Sequence, residues 1–228
     1  MAEKKKGAKN NSKKDFQTFV SKLENMILTG AFKPRERLIE ANLSQIFGVS
    51  RYWVRDAFKI LETKGLVTVI PFKGVMVSEL NEQELEEIFV IRVNLEQLAW
   101  KLSMENASES DMKTLKRMVR KIEEAHREND ILGMVEADTN FHDYVFQLSQ
   151  NQTLRRMIKD LRNRCHIIRY SAWSSPDVLR KVLEEHRQFV EAMEGKDPLA
   201  LENLAADHIN HAKQFYIFQL KTENAFKS

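Results

Sequence analysis

The sequence predicts a mainly α-helical protein made of two domains. Of its 228 residues 43% are hydrophobic and 30% are charged, with 7 glycines and 4 prolines, a composition that suits a packed helical core. Two β-prone runs end near Val77, and only helical periodicities follow from Glu82. The boundary between the domains is therefore expected between Ser78 and Asn81.

The first domain, residues 15–78, begins with a helix whose apolar residues repeat at helical spacing up to Gly30, a typical C-terminal stop. A short helix from Ala41 to Phe47 then ends at Gly48. Ser50 stands where a helix N-cap accepts a backbone N–H, so another helix should begin at Arg51.

The helix from Arg51 has the character of a DNA recognition helix. Val54, Ala57, Phe58 and Leu61 form its apolar face and leave cationic and aromatic groups on the leading face. Two β-prone runs around residues 71–74 follow it and predict a two-stranded wing. Helix, Gly-containing turn, capped basic helix and wing, in this order, predict a winged helix-turn-helix that binds DNA. A helical hairpin with an incidental basic surface is the alternative.

Seven residues of this domain are candidates for DNA contact. The two arginines of the recognition helix suit guanine edges or phosphates, the serine a phosphate, and the two aromatic residues a phosphate or a thymine methyl group. Lys73 and Gly74, in the predicted wing, suit contact with a minor groove. The candidates are Ser50, Arg51, Tyr52, Trp53, Arg55, Lys73 and Gly74.

The same stretch resembles the winged helix of GntR-family bacterial transcription regulators over residues 15 to 78. The resemblance is carried by Pro34, Arg37-Leu38, Glu40, Phe47-Gly48-Val49-Ser50-Arg51, Val54-Arg55, Gly65-Leu66-Val67 and Pro71-Phe72-Lys73-Gly74-Val75. Tyr52-Trp53 stand where that family usually has Thr-Pro. The resemblance implies a regulator that binds a double-stranded DNA operator. Because one helix-turn-helix covers one half-site, we expect a homodimer reading two half-sites.

The two ends of the chain and its single cysteine complete the outline. Residues 1–14 hold six lysines and are expected to be a disordered tail, as are residues 222–228. Neither a signal peptide nor a membrane span is recognisable, so a cytoplasmic protein with no membrane partner is expected. Cys165 excludes an intramolecular disulfide and, at the spacing of Leu161 and Ile168, is expected to be a buried structural thiol.

The second domain, residues 79–221, is expected to be an all-α antiparallel bundle of about six helices with short connections. Capping signals at Ser108, a proline at a first helical turn and the break at Gly195 delimit several of them. The predicted helices are Asn81 to Met104, Ser108 to Glu128, Asp130 to Leu148, Thr153 to Tyr170, Pro176 to Met193 and Asp197 to Leu220.

Four metal-ligand types fall inside the apolar stripes of three of these helices. Asp138 and His142 are four residues apart and hence share a face, while His186 and His208 each lie within the stripe of a later helix. An unsatisfied buried polar group costs about 1–3 kcal/mol, so these groups need partners. Hydrogen bonds within the core are one answer. A divalent transition metal, zinc, nickel, manganese or iron, is the answer favoured by three imidazoles and one carboxylate together.

This domain also resembles the FCD ligand-binding domain of the FadR subgroup of GntR regulators. The resemblance is carried by Ile91-Arg92, Leu95-Glu96, Asp138-Thr139-Asn140-Phe141-His142, Gln150-Asn151, Glu185-His186-Arg187, Ala192-Met193 and His208-Ile209. It implies Asp138, His142, His186 and His208 as metal ligands and a small organic acid as effector. His126, His166 and His211 lie outside the matched pattern.

Three further residues are candidates for binding the effector. Arg92 lies on the inward-facing apolar stripe of its helix, where a partly buried guanidinium requires an anionic partner. That partner is either a structural one such as Glu96 or the carboxylate of an effector beside the metal. Asn151 and Trp173 are the other two candidates.

The expected function is therefore a transcription regulator, more specifically a repressor, whose operator binding is controlled by an organic acid bound near a metal. The competing class is an architectural or nonspecific DNA-binding protein whose helical domain only dimerises. A metal-dependent enzyme is a further alternative, but no general-base motif accompanies the ligand set.

Overall fold

The computed structural model describes residues 2–166, 173 and 176–225, and the side chains of residues 15–166, 173, 179–218 and 220–222. It divides into two compact units, Met1–Glu79 and Leu80–Ser228. Each unit is described by itself below.

The first unit contains three helices and three short strands. In chain order these are α1 (Ala2–Leu28), β1 (Arg37–Leu38), α2 (Glu40–Phe47), α3 (Arg51–Thr63), β2 (Val67–Ile70) and β3 (Gly74–Val77). The helices enclose a core of buried apolar side chains that includes Phe19, Leu23, Leu43, Val54 and Leu61. The unit is a helix-turn-helix followed by a wing, as predicted.

Two features of this unit differ from expectation. Helix α1 begins at Ala2, so the backbone of the Lys-rich segment, expected to be disordered, is helical. Alanine and lysine are good helix formers, which allows the segment to extend the helix behind it. The sheet has three antiparallel strands instead of the two that were expected, and their order is β1-β3-β2. Strand β1 has only two residues, too few to show an alternating pattern.

The turn between α2 and α3 forms as the sequence predicts. Gly48 ends α2 with φ 64°, a left-handed conformation that favours glycine. The Oγ atom of Ser50 accepts a hydrogen bond from the backbone N–H of Trp53 at 3.2 Å and so caps α3. The cap fixes the direction in which the first turn of α3 presents its side chains.

The second unit is a helical bundle. Its described helices are α4 (Glu82–Asn106), α5 (Glu109–Arg127), α6 (Ile131–Leu148), α7 (Gln152–Arg164), α8 (Pro176–Gly195) and α9 (Pro198–Ala225). Capping boxes at Asn81 and Ser108 start α4 and α5. Helix α7 ends six residues before the predicted Tyr170, and residues 167–172 lie outside the described part. Helix α9 includes residues 222–225 of the expected tail, and residues 226–228 are not described.

Two apolar clusters hold the bundle together. In one, the rings of Trp100 and Phe189 stack with centroids 4.0 Å apart, which ties α4 to α8. The other contains Phe89, Tyr216 and Trp173, with the first two rings edge to face at 5.6 Å. Polar side chains lie among these apolar residues. No helix in the described part of the chain is long and apolar enough to cross a membrane.

Candidate metal centre and DNA-binding surface

Three of the predicted metal ligands come together in the bundle. Helix α6 places Asp138 and His142 one turn apart, and α8 brings His186 to them, so that one ligand atom from each lies within 4.8 Å of the others. All three side chains are buried. The ring of His208, from α9, has its centroid 5.3 Å from that of His142 and 5.4 Å from that of His186. The four predicted residues therefore form one cluster.

The hydrogen bond of His186 to Val182 determines which of its ring nitrogens is available to bind a metal. Its Nδ1 lies 2.7 Å from the carbonyl oxygen of Val182, which can only accept, so Nδ1 carries the proton and donates it. In the neutral imidazole Nε2 is then bare; it faces Asp138 Oδ1 at 3.1 Å, and Nε2 of His142 lies 3.3 Å from the same oxygen.

This arrangement fits a cation. Within the described part of the chain, neither ring nitrogen of His142 has a hydrogen-bond partner, nor has Nε2 of His186. A bare nitrogen facing a carboxylate oxygen at this distance is repelled unless a positive charge lies between or beside them. A divalent metal would supply that charge and use the unpaired nitrogens as ligands.

His208 is oriented by a residue that the sequence analysis did not assign to the site. Its Nδ1 donates to Oε2 of Glu185 at 2.6 Å, which leaves Nε2 for a metal. The other oxygen of Glu185 accepts from Nδ1 of His211 at 2.7 Å, and Lys181 Nζ donates to His211 Nε2 at 2.9 Å. In the sequence Glu185 stands directly before His186, next to a predicted ligand. Only the fold shows that its carboxylate reaches the two histidines of α9.

The ionisation states also suit metal binding. Burial would raise the pKa of Asp138, but the guanidinium of Arg162, which donates to its Oδ2, helps to hold that pKa well below its usual range. Burial, with the positive charge of Arg162 beside it, lowers the pKa of His142 well below that of a free imidazole. At neutral pH the cluster therefore offers a charged carboxylate and a neutral imidazole, the forms in which these groups bind metals.

A small cavity of about 30 Å³ adjoins the cluster, lined by Arg92, Asp138, Arg162, Cys165, Trp173 and His208 among others. Two of the three predicted effector residues, Arg92 and Trp173, are therefore beside the predicted metal ligands. Cys165 is buried, as expected. A volume of this size holds a water molecule, whereas drug-sized ligands occupy pockets of about 300–1,000 Å³.

A buried ion-pair network lines the cavity. Nε of Arg92 donates to Oε1 of Glu96 at 2.8 Å, so the structural pairing considered for Arg92 is present. Arg162 donates to Asp138 Oδ2 at 3.0 Å and lies 3.4 Å from Glu96 Oε2, which links the pair to the metal cluster. Sequence reasoning missed Arg162, although it follows the buried Leu154 and Ile158 at spacings of eight and four residues and so falls on the apolar stripe of an otherwise strongly polar helix.

Asn151 does not line this cavity. It is exposed, and its Oδ1 accepts a hydrogen bond from the backbone N–H of Leu154 at 3.0 Å, which caps α7. The short carboxamide is used to start a helix, the common role of asparagine at such a position.

The DNA-binding candidates of α3 are divided between the surface and the core. Arg51 is exposed, Tyr52 is 70% exposed, and Arg55 is exposed while its Nε contacts Glu40 at 2.8 Å. Trp53 is partly buried and packs edge to face on Phe16 at 5.4 Å. Its indole ring therefore joins α3 to α1 and has a packing role within the unit.

The wing presents its candidates to solvent. Lys73 and Gly74 are both exposed, and Gly74 has φ 88°. A side chain there would also meet the guanidinium of Arg37, whose atoms lie 3.6 Å from the position of a Cβ. The tip of the wing is thus a compact turn with two cationic groups beside it.

Comparison with known proteins matches both units. A family model described as "Bacterial regulatory proteins, gntR family" matches residues 17–77, and one described as "FCD domain" matches residues 87–211. The uncharacterized HTH-type transcriptional regulator YdhC of Bacillus subtilis is 30% identical over 85% of this chain and 87% of its own. The HTH-type transcriptional repressor RspR of Escherichia coli is 24% identical over 84% of each chain.

A third relative is known in sequence and in structure. The HTH-type transcriptional regulator McbR of Escherichia coli is 30% identical over 77% of this chain and 80% of its own. The solved McbR structure matches with a TM-score of 0.74 and 25% identity, covering 90% of this chain and 98% of the other. All of these relatives are named as transcription regulators, not as enzymes.

Proposed function

Because the chain belongs to the gntR family of bacterial regulatory proteins and carries an FCD domain, it is a DNA-binding transcription regulator, and we propose that it is a repressor controlled by an organic acid bound beside a divalent metal. The observation that carries the proposal is the buried cluster of Asp138, His142 and His186. Within the described part of the chain its imidazoles have unpaired nitrogens, and its carboxylate, Asp138, lines a cavity together with the guanidiniums of Arg92 and Arg162. The name of RspR supports repression as the mode of action.

The proposed DNA complex is a homodimer on a pseudo-palindromic operator. One α3 helix reads one half-site, so a twofold pair of chains reads two. An apolar stripe on α4 supports self-association: Val90, Ile91 and Leu98 are 61%, 47% and 45% exposed and lie within one arc of the helix. A second copy of the chain would bury this stripe.

Replacing Arg51 by alanine is expected to weaken operator binding and to relax base preference. Arg51 is exposed on the first turn of α3, where a guanidinium can form a bidentate contact with guanine. Loss of such a contact costs about 1–3 kcal/mol. The measurement is selection from a randomised duplex pool followed by fluorescence anisotropy on the enriched duplex, with light scattering to count chains per duplex.

Lys59→Ala is a matched control, because Lys59 is an exposed cation further along α3 that pairs with Asp56. It should leave base preference unchanged. If Arg51→Ala kept both the affinity and the preference of the wild type, the role of α3 would have to be abandoned.

The proposed regulation requires the bundle to change when the effector binds. The cavity of about 30 Å³ is too small for an organic acid. The acid must therefore move the side chains around it, and Arg92 and Arg162 are the cations positioned to receive its carboxylate. The effector controls operator binding only through different affinities for the DNA-competent and DNA-incompetent dimers.

Thermal melting is expected to reveal both ligands. A ligand that binds the folded state at 100 times its Kd adds about 2.7 kcal/mol of stability, so zinc or manganese should raise the Tm and EDTA should lower it. A panel of small mono- and dicarboxylic acids should raise the Tm further in the metal-loaded protein. A panel without effect, together with indifference to EDTA, would favour a scaffold that only dimerises.

A further inference from the structure

Phe72, at the tip of the wing, has two unusual properties. Its side chain is fully exposed, with a relative exposure of 107%, the highest among the large apolar side chains described. Its backbone has φ 64°, in the left-handed region that a bulky residue rarely adopts. Single exposed apolar residues are common on protein surfaces, and four polar or charged residues of the described chain also have positive φ: Arg35, Asn129, Gln150 and Lys196. Phe72 is the one apolar residue among the non-glycine residues described in this conformation, and for a bulky side chain it is an outlier.

The strain belongs to the turn that holds the residue. The backbone N–H of Lys73 donates to the carbonyl oxygen of Ile70 at 3.0 Å, which closes a four-residue turn with Pro71 second and Phe72 third. A turn of this type with positive φ at its third residue favours glycine or asparagine there, and proline before it. The fold therefore tolerates a phenylalanine at a position where glycine would be less strained and where the ring has no packing role.

Two cationic side chains belong to or adjoin the turn that carries the ring. Lys73 follows it at the tip, and the guanidinium of Arg37, on the neighbouring strand β1, lies against Gly74. An exposed aromatic ring with cations on one side matches the surface of proteins that bind the minor groove, in which positive groups contact phosphates and an apolar wedge enters a base step.

We propose that Phe72 is a DNA wedge: its ring inserts between base pairs from the minor groove beside each half-site and kinks the operator, so that the wing selects deformable steps. The proposal rests on the proposed operator binding and adds a specificity-determining residue to it. Pyrimidine–purine steps such as TA and CA unstack most easily and are the expected sites. The wing would then read sequence through deformability, which a glycine at the same position would not do.

The test compares Phe72→Gly and Phe72→Trp with the wild type on the duplex that the wild type enriches from a randomised pool. Base–aromatic stacking predicts a loss of affinity of about 5- to 150-fold for the glycine variant and retained affinity for the tryptophan variant. End-labelled duplexes should show by energy transfer a bend with wild type that is lost with glycine. With 2-aminopurine at the flexible step, fluorescence should rise only when an aromatic residue is present.

Stability separates this role from a structural one. Because glycine relieves the positive φ, the Tm of Phe72→Gly should be no lower than that of the wild type although DNA binding falls. Leu199→Ala, which removes another exposed apolar side chain outside the first unit, should change neither quantity.

Three outcomes would overturn the wedge. They are a lower Tm for Phe72→Gly, an unchanged bend, or equal affinity of the glycine variant for the enriched duplex. If instead the wild type enriched no sequence at all, the proposed sequence-specific operator binding would itself fail, which distinguishes the two claims.

Discussion

Replacing His186 and His208 together by alanine is expected to remove bound metal almost completely, whereas the wild type retains a single divalent ion per chain after dialysis. The two residues come from different helices, and without them Asp138 and His142 on α6 are left as a two-ligand site. A divalent ion held by one imidazole and one carboxylate exchanges readily with solvent. Metal analysis by mass spectrometry of the two proteins, purified side by side, measures the difference.

Two single variants calibrate this experiment. His126→Ala removes an imidazole from α5 outside the cluster and should leave metal content unchanged. Glu185→Gln should keep the metal but weaken its affinity about 10- to 100-fold, because the carboxylate orients His208 and increases its basicity. Equal metal content in the wild type and the double variant would eliminate the proposed centre.

The fold was predictable because its elements carry local signals. Gly48, Ser50 and the apolar face of α3 indicate a capped helix after a tight turn, and the structure has it. The third strand, β1, was missed. Arg37 and Leu38 pair with β3 through backbone hydrogen bonds, and two residues are too few to show an alternating pattern in the sequence. The helical start of α1 was missed because lysine-rich segments serve equally as helices or as tails.

The candidate site was predictable where a polar residue interrupts an apolar stripe. Asp138, His142, His186 and His208 follow from that pattern and from the resemblance, and the structure gathers them. Glu185 and Arg162 were not found in this way, because a long charged side chain beside an apolar stripe can also extend into solvent. Which partner a long charged side chain reaches depends on how the helices pack, and the sequence of one helix does not determine that packing.

Replacing Glu96 by alanine is expected to destabilise the second unit by about 3–5 kcal/mol, the usual cost of leaving buried charge without its partner. Glu96 is 0% exposed and contacts both Arg92, at 2.8 Å, and Arg162, at 3.4 Å. Its removal leaves two guanidiniums in the core, of which Arg162 keeps its contact with Asp138. Urea unfolding followed by circular dichroism measures the loss, and Glu87→Ala, an exposed glutamate on the same helix, should change stability by less than about 0.5 kcal/mol.

The contacts of Glu96 with the two arginines also predict how the free energy of unfolding changes with pH. Burial would raise the pKa of Glu96, but Arg92 and Arg162 hold it below the ordinary value of a glutamate. A carboxyl group whose folded-state pKa is lowered stabilises the fold above its unfolded pKa, about 4.3, and loses that contribution as the pH falls through the folded value. The difference in unfolding free energy between the wild type and Glu96→Gln should therefore be constant near neutral pH and shrink below about pH 4.3. A difference that stayed constant through this acid range would show that the charge of Glu96 does not stabilise the network.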